Sequence, residues 1–188
     1  MDSKNVTYGK PKVGGAIYSA PAGTALPTDA TTALPAVFKD LGYVSEDGVS
    51  NSNTPDSDTV KAWGGDTVLV IQTEKTDEFT YTLIEATNVE VLKEVYGPDN
   101  VTGTLKDGLT IKANAKEYKP HVLVIDMLLK GAVKRIVIPN GVIKEIGDIE
   151  YGDEDAVGYE TTVTCTPDTN GNTHYEYIKS TEKVGSAG

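Results

Sequence analysis

The apolar residues of this chain fall in short runs set apart by Gly, Asp, Asn and Pro. Such punctuation builds strands joined by turns, and it makes a mainly β protein the starting expectation. The chain has 188 residues, a length that suits one compact domain carrying an extended arm or two better than two full domains.

The strand signals are sharpest in the second half. Residues 67–73 are predicted as a strand and residues 78–85 as its partner, joined across Glu74-Lys75-Thr76-Asp77. In the partner, Phe79, Tyr81 and Leu83 share one face while Thr80, Thr82 and Ile84 share the other, the period-2 alternation of a strand. Further strands are expected over residues 109–113, 121–129, 132–138, 142–149, 157–166 and 174–179, with Pro139-Asn140-Gly141 and residues 168–172 as turns. Strands in succession with short links give a meander or sandwich. One helix is expected, over about residues 88–96. Thr87 and Glu90 stand at capping-box spacing, Val89, Leu92 and Tyr96 recur at helical spacing, and Gly97-Pro98 stops it.

The first half is looser. Residues 1–35 are rich in Gly, Pro, Ala and Thr, with Pro21, Pro27 and Pro35 as breakers, and are expected as an extended arm. Residues 37–41 could form a helical turn, followed by a brief strand at Tyr43-Val44. From 45 to 65 the chain is mostly Ser, Asn, Asp, Thr and Gly, which predicts a long polar loop, the kind that is usually functional or disordered. Residues 36–180 would then form the β domain and 181–188 a flexible tail.

Charge and cysteine content narrow the function classes. The formal net charge is −11, the wrong sign for a protein that grips nucleic acid, because phosphate binding depends on clustered Lys and Arg. A lone cysteine, Cys165, leaves no internal disulfide. No signal-peptide pattern opens the sequence, and the run at residues 122–129 is interrupted by Asp126 and far shorter than the roughly 20 residues of a membrane span. The expectation is a soluble, unsecreted chain with no membrane partner.

Chemical constellations are equally sparse. His121 and His174 are the only histidines, and neither has a second ligand at metal-binding spacing. Cys165 shares a strand face with Tyr159, Thr161 and Val163, so it is expected as a small buried filler. The acidic groups around Asp56, Asp58 and Asp153-Glu154-Asp155 miss the EF-hand pattern. Gly14-Gly15 and Gly64-Gly65 lack the strand, helix and Lys of a phosphate cradle. No catalytic residue, metal or cofactor is expected.

Several ordered segments are, however, recognisable. Residues 15–27, from Gly15-Ala16-Ile17-Tyr18 to Leu26-Pro27, are followed by Leu41-Gly42-Tyr43-Val44, Lys61-Ala62-Trp63-Gly64-Gly65-Asp66, residues 79–85, Val95-Tyr96-Gly97 and Gly158-Tyr159-Glu160. In that order and spacing they resemble siphophage major tail proteins, the tail tube family, over nearly the whole chain. The resemblance implies two packed antiparallel β-sheets with one short flanking helix and head-to-tail rings, hexameric in that family, stacked into a conduit for DNA. It implies self-association, with tape-measure, tail-tip and tail-terminator proteins as partners, in the tail tube of a virion assembled from protein made in the host cytoplasm. DNA would pass without specific binding, and no catalytic residue is carried over.

Under that reading the loop formed by Ser50, Asn51, Asn53, Thr54, Pro55, Asp56 and Asp58 is expected to serve ring stacking, with Val49 and Trp63 anchoring it to the sheet. Ile17, Tyr18, Pro21 and Leu26 are the expected arm contacts. Two alternatives remain open: the tube protein of a type VI-like or other injection system and, from a different class, a monomeric β-sandwich adhesin that binds through its loops.

Overall fold

Alternating burial along the strands turns the sequence pattern into layers. A computed structural model describes residues 3–12 and 15–181. Among them the chain is mainly β, with two antiparallel sheets and one short α-helix. In chain order the elements are β1 (Lys10–Pro11), β2 (Ile17–Pro21), β3 (Lys39–Asp40), β4 (Val44–Lys61), β5 (Thr67–Leu83), α1 (Val89–Tyr96), β6 (Val101–Thr104), β7 (Gly108–Ile111), β8 (His121–Leu129), β9 (Ala132–Ile146), β10 (Tyr159–Cys165) and β11 (Tyr175–Ser180). The main sheet runs β3-β2-β8-β9-β10-β5-β4, with β1 added to β8 and β11 to β9, while β6 and β7 pair by themselves.

The main sheet turns on β9. Its first half pairs with β8 on one edge and β11 on the other, whereas its second half, from Gly141 to Ile146, pairs with β10. Gly141 faces both β8 and β10 in register. A Cβ there would sit 2.9 Å from the Val163 side chain and 3.3 Å from that of Leu123, so only glycine lets the two wings approach this closely. One wing contributes Ile17, Leu123, Ile125, Ile136 and Ile138 to the core, and the other contributes Phe79, Tyr81, Leu83, Val163 and Cys165. Helix α1 adds Val91, Leu92 and Val95 to the same cluster.

A second, smaller cluster covers the opposite face of β2, β8 and β9. Ala20, Val122, Val124 and Val137 are buried there beneath Phe38, with Leu26, Leu34 and Tyr18 packed around them. The strap that brings Phe38, Leu26 and Leu34 over the sheet is fixed by Arg135, which is 1% exposed. Its Nε and Nη2 donate to the Asp126 carboxylate at 2.6 and 2.8 Å, and its Nη1 donates to the carbonyls of Asp29 and Thr32 at 3.1 and 2.8 Å. A buried guanidinium is tolerable when it is neutralised and its donors are used, and here both conditions hold.

Several expectations need correction. Residues 74–77 do not link two strands but lie inside β5, and Pro139-Asn140-Gly141 is not a turn but the interior of β9. Residues 45–61 are not a loop: they belong to β4, whose backbone pairs with β5 at Val44 and, after a shift of register, from Val49 to Lys61. Hydrogen bonding to a neighbouring strand satisfies a polar segment as well as an apolar one. In place of a helical turn at 37–41, Phe38 N donates to Pro35 O and β3 follows. The expected arm at 1–35 contains β2, which pairs with β8 from Ile17 to Pro21. Helix α1 is present, capped by Asn88, whose side chain accepts from Glu90 N at 3.0 Å, and not by Thr87. Gly97, at φ 89°, ends it. The tail expected at 181–188 lies, beyond Thr181, outside the described residues.

Candidate assembly surface

Strand β5 has two neighbours in the body and one outside it. Strand β10 accompanies it only from Leu83 to Glu78. From Asp77 to Thr67 it pairs with β4 alone, so the two strands leave the body as a ribbon. Each strand residue adds about 3.3 Å, and the stretch from Asn53 to Lys61 therefore projects roughly 30 Å. Every residue from 51 to 75 is exposed. At the tip Ala62 N donates to Asp66 O at 2.8 Å, and Trp63, with 107% relative exposure, touches nothing that hides it.

The ribbon carries exposed apolar residues towards its tip. Val60 lies opposite Leu69, Thr59 opposite Val70 and Asp58 opposite Ile71. Partners across a sheet share a face, so Val60, Leu69 and Ile71 line one side while Val68 and Val70 line the other. None of them is covered. A lone two-stranded ribbon is marginal in water, and large exposed apolar patches mark contact surfaces.

A polar clasp holds the ribbon at its root. Asp77 is 2% exposed and continues the inward stripe of Phe79, Tyr81 and Leu83. One carboxylate oxygen accepts from Asn51 Nδ2 at 2.9 Å, and the other accepts from Thr173 Oγ1 at 2.5 Å and pairs with His174 Nδ1 at 2.6 Å. Burial by itself would raise the Asp77 pKa, but the bonds from Thr173, Asn51 and His174 outweigh it and hold the carboxyl below its usual range. Beside it, Glu78 accepts from Lys144 Nζ at 2.8 Å and Thr164 Oγ1 at 2.9 Å.

The residues singled out from sequence divide between these regions. Ser50 pairs with Thr80 at the edge of the body, and Asn51 serves the clasp. Asn53, Thr54, Pro55, Asp56 and Asp58 lie along the β4 side of the ribbon, opposite Asp77, Thr76, Lys75, Glu74 and Ile71. Trp63 does not anchor this segment to the sheet as expected, because it stands free at the tip. Ile17 is fully buried in the main core, and Tyr18 and Leu26 pack into the second cluster, while Pro21 ends β2 at an exposed position. A side chain inside the core is out of reach of a neighbouring copy, so Ile17 is not an arm contact. Val68, Leu69, Val70, Ile71 and Asp77 were not singled out. The signal of residues 68–71 was an unbroken apolar run, which a buried core strand also produces, and Asp77 carried none.

Comparison with known proteins adds the decisive observation. The family model for phage tail tube protein matches residues 11–187. The chain belongs to the phage tail tube protein family. No curated protein matches it. Among solved structures it is similar to the sheath/tube terminator of an extracellular contractile injection system, PVC, in the extended state. That likeness has 10% identity and a TM-score of 0.36, and covers 91% of this chain and 98% of the other.

Membership gives this tail tube protein a structural role in the phage tail, assembling into a tube. Its histidines and cysteine are placed accordingly. His121 Nε2 pairs with Glu94 Oε1 at 2.7 Å, tying β8 to α1, and His174 completes the clasp. Cys165 is buried, and burial first, then the charges of Asp77 and Glu78, push its thiol up to about 12. A thiol so protonated is a core filler and a poor nucleophile. Among the described residues no group of three or more His, Cys, Asp or Glu is arranged to hold a metal ion, and no helix is long and apolar enough to cross a membrane.

Proposed function

We propose that the chain is the subunit of a siphophage-type tail tube, closing head to tail into rings, hexameric as in the family it resembles, that stack into a conduit for DNA. The observation that carries this reading is the ribbon, exposed from residue 51 to 75 yet apolar on both faces at residues 68–71. A monomer gains nothing from such a surface, whereas a ring that repeats one contact around its axis gains from each copy. Ring stacking by the polar β4 segment is retained from the sequence reading, and the exposed apolar residues of β5 are added to the contact. The acidic balance of −11 suits a wall past which DNA slides without being held. In this role the subunit catalyses no reaction and needs no metal or cofactor, and tape-measure, tail-tip and tail-terminator proteins cap and fill the tube.

The test is electron microscopy of purified protein at high concentration, beside a variant in which a short Gly-Ser link replaces residues 54–76. Regular tubes are expected from the parent and none from the variant. Loop closure changes only slowly with length, so the body of the variant should melt within a few degrees of the parent. A variant that still builds normal tubes would overturn the assignment of stacking to the ribbon.

A further inference from the structure

We propose that Asn170 is a site of spontaneous covalent modification, converted through a ring closed on the Gly171 amide nitrogen to aspartate and isoaspartate, and that this change loosens the clasp at the ribbon root. The inference is independent of the tube reading, because it concerns the single subunit. Asn-Gly occurs twice in the chain, at Asn140-Gly141 and Asn170-Gly171, and the fold treats the two pairs in opposite ways.

The chemistry asks for a yielding backbone. The Gly171 nitrogen attacks the side-chain carbonyl carbon of Asn170 and forms a C–N bond. The bond to the side-chain nitrogen breaks, and that nitrogen leaves as ammonia with the amide proton of Gly171. Water then opens the succinimide at either of its carbonyls, giving aspartate on one side and, on the other, isoaspartate, whose backbone runs through the former side-chain methylene. The sum is an amide and water going to a carboxylate and ammonium. Glycine obstructs this ring least as the following residue, since it has no Cβ and reaches conformations closed to other residues.

Asn170 meets these demands. It lies with Gly171, both exposed, in the turn between β10 and β11. Gly171 has a φ of 82°, and a Cβ there would touch nothing within 4 Å. The Gly171 N–H donates to Asp168 O at 3.0 Å, a single exposed turn bond that opens at little cost. Asn140 is held instead. Its Nδ2 donates to Pro167 O at 3.3 Å, and its carbonyl accepts from Thr166 N at 2.9 Å and from Thr166 Oγ1 at 3.0 Å. Gly141 is buried between His121 of β8 and Cys165 of β10, where closing the ring requires β9 to open first.

The turn also positions the clasp. Asp168 Oδ1 accepts from Asn170 N at 2.8 Å and Asn172 N at 3.0 Å, and its Oδ2 accepts from the Tyr175 hydroxyl at 2.6 Å. Thr173 and His174, which grip Asp77, follow directly. A new carboxylate beside Asp168 meets like charge, and isoaspartate lengthens the backbone inside the turn that sets where Thr173 and His174 stand.

Peptide mapping by mass spectrometry, with isoaspartate detection, tests the site on full-length protein aged at mildly alkaline pH. In the folded protein Asn170 should convert at least about tenfold faster than Asn140, the difference between an exposed turn and a strand ladder. In denaturant the two should convert at similar rates. Equal rates in the folded protein, or an Asn170 that converts in denaturant and stays intact in the folded chain, overturn the proposal. Asn170→Gln, whose longer side chain closes the ring poorly, should silence this peptide and leave Asn140 unchanged, and conversion that persists there would give the reaction to another residue. Amide exchange of residues 76–78 reads the clasp in the aged protein, separated from the parent by its added negative charge. It should quicken by about threefold or more at a root that opens locally, and an unchanged rate overturns the coupling of the turn to the clasp.

Discussion

The two halves of β5 share a backbone and differ in everything else. Inside the body Phe79, Tyr81 and Leu83 are buried while Thr80 and Thr82 are half-exposed, the alternation of a strand with one core face. Beyond Asp77 the alternation ceases: Val68, Leu69, Val70 and Ile71 are all exposed. Strand patterning thus reports how many faces are covered in the final assembly, which can exceed the number covered in the subunit.

Matched truncations in the two halves should break that comparison if it is wrong. Leu83→Ala empties a fully buried site and should cost about 2–5 kcal/mol of folding stability. Leu69→Ala removes the same atoms from a half-exposed ribbon and should stay within about 0.5 kcal/mol. Urea titration measures both. Tube formation should reverse the emphasis, with Leu69→Ala raising the critical concentration by about tenfold or more. A Leu69→Ala variant as unstable as Leu83→Ala would mean that the ribbon is part of the subunit core.

The same contrast explains what could be foreseen from sequence. Strands β8 and β10 and helix α1 were legible because alternation, burial and capping are written in neighbouring residues, as in the stripe of Tyr159, Thr161, Val163 and Cys165. Continuity through β5 and β9 was not. Glu74-Lys75-Thr76-Asp77 and Pro139-Asn140-Gly141 carry turn chemistry, yet the first lies where β5 has lost β10 and the second where β9 exchanges β11 for β10, tertiary events with no local signature. Strand β4 was hidden for a different reason. Its residues from Asn51 to Lys61 hold almost no apolar area, and what makes them a strand is pairing with β5. Of the proposed assembly surface, the polar side is expected from sequence as a loop and the apolar side, residues 67–73, as a strand, with nothing in either to show that the two leave the body together.

Asp77 sharpens the comparison at the boundary itself. An apolar residue would continue the stripe of Phe79, Tyr81 and Leu83, and a buried carboxylate held by Asn51, Thr173 and His174 stands there instead. Asp77→Asn would set an amide N–H₂ against donors and should cost about 1–3 kcal/mol. The sign with pH follows from the lowered pKa: the contribution is complete above the ordinary carboxylate range near pH 4 and is lost as the pH falls through the lower folded value. Asp77→Leu leaves Asn51, Thr173 and His174 without their acceptor and should cost at least as much as Asp77→Asn, while amides at the ribbon root exchange faster. An Asp77→Leu body that unfolds with an unchanged, protected root would assign the clasp to the core and not to the ribbon.

The smallest expected effect belongs to a second histidine pair, His121 with Glu94, which has no ribbon to hold. Burial is the largest influence on His121 and would lower its pKa, but the bond to Glu94, the Glu94 charge and the Lys119 carbonyl together outweigh it, and the net direction is upward. A raised pKa stabilises the fold fully below the unfolded value near 6.5 and loses that contribution as the pH rises through the folded value. Stability of the body should therefore decline gently on going from pH 6 to beyond neutrality, by roughly 1 kcal/mol or less for a pair that retains some solvent contact. His121→Gln keeps a donor for Glu94 without a titrating charge and should flatten that part of the profile. Exchange at the ribbon should not respond, because His121 ties β8 to α1 and touches neither β4 nor β5 through this bond. Urea midpoints for both proteins between pH 6 and 9 give the comparison. A slope that survives unchanged in His121→Gln would overturn its assignment to the His121–Glu94 pair.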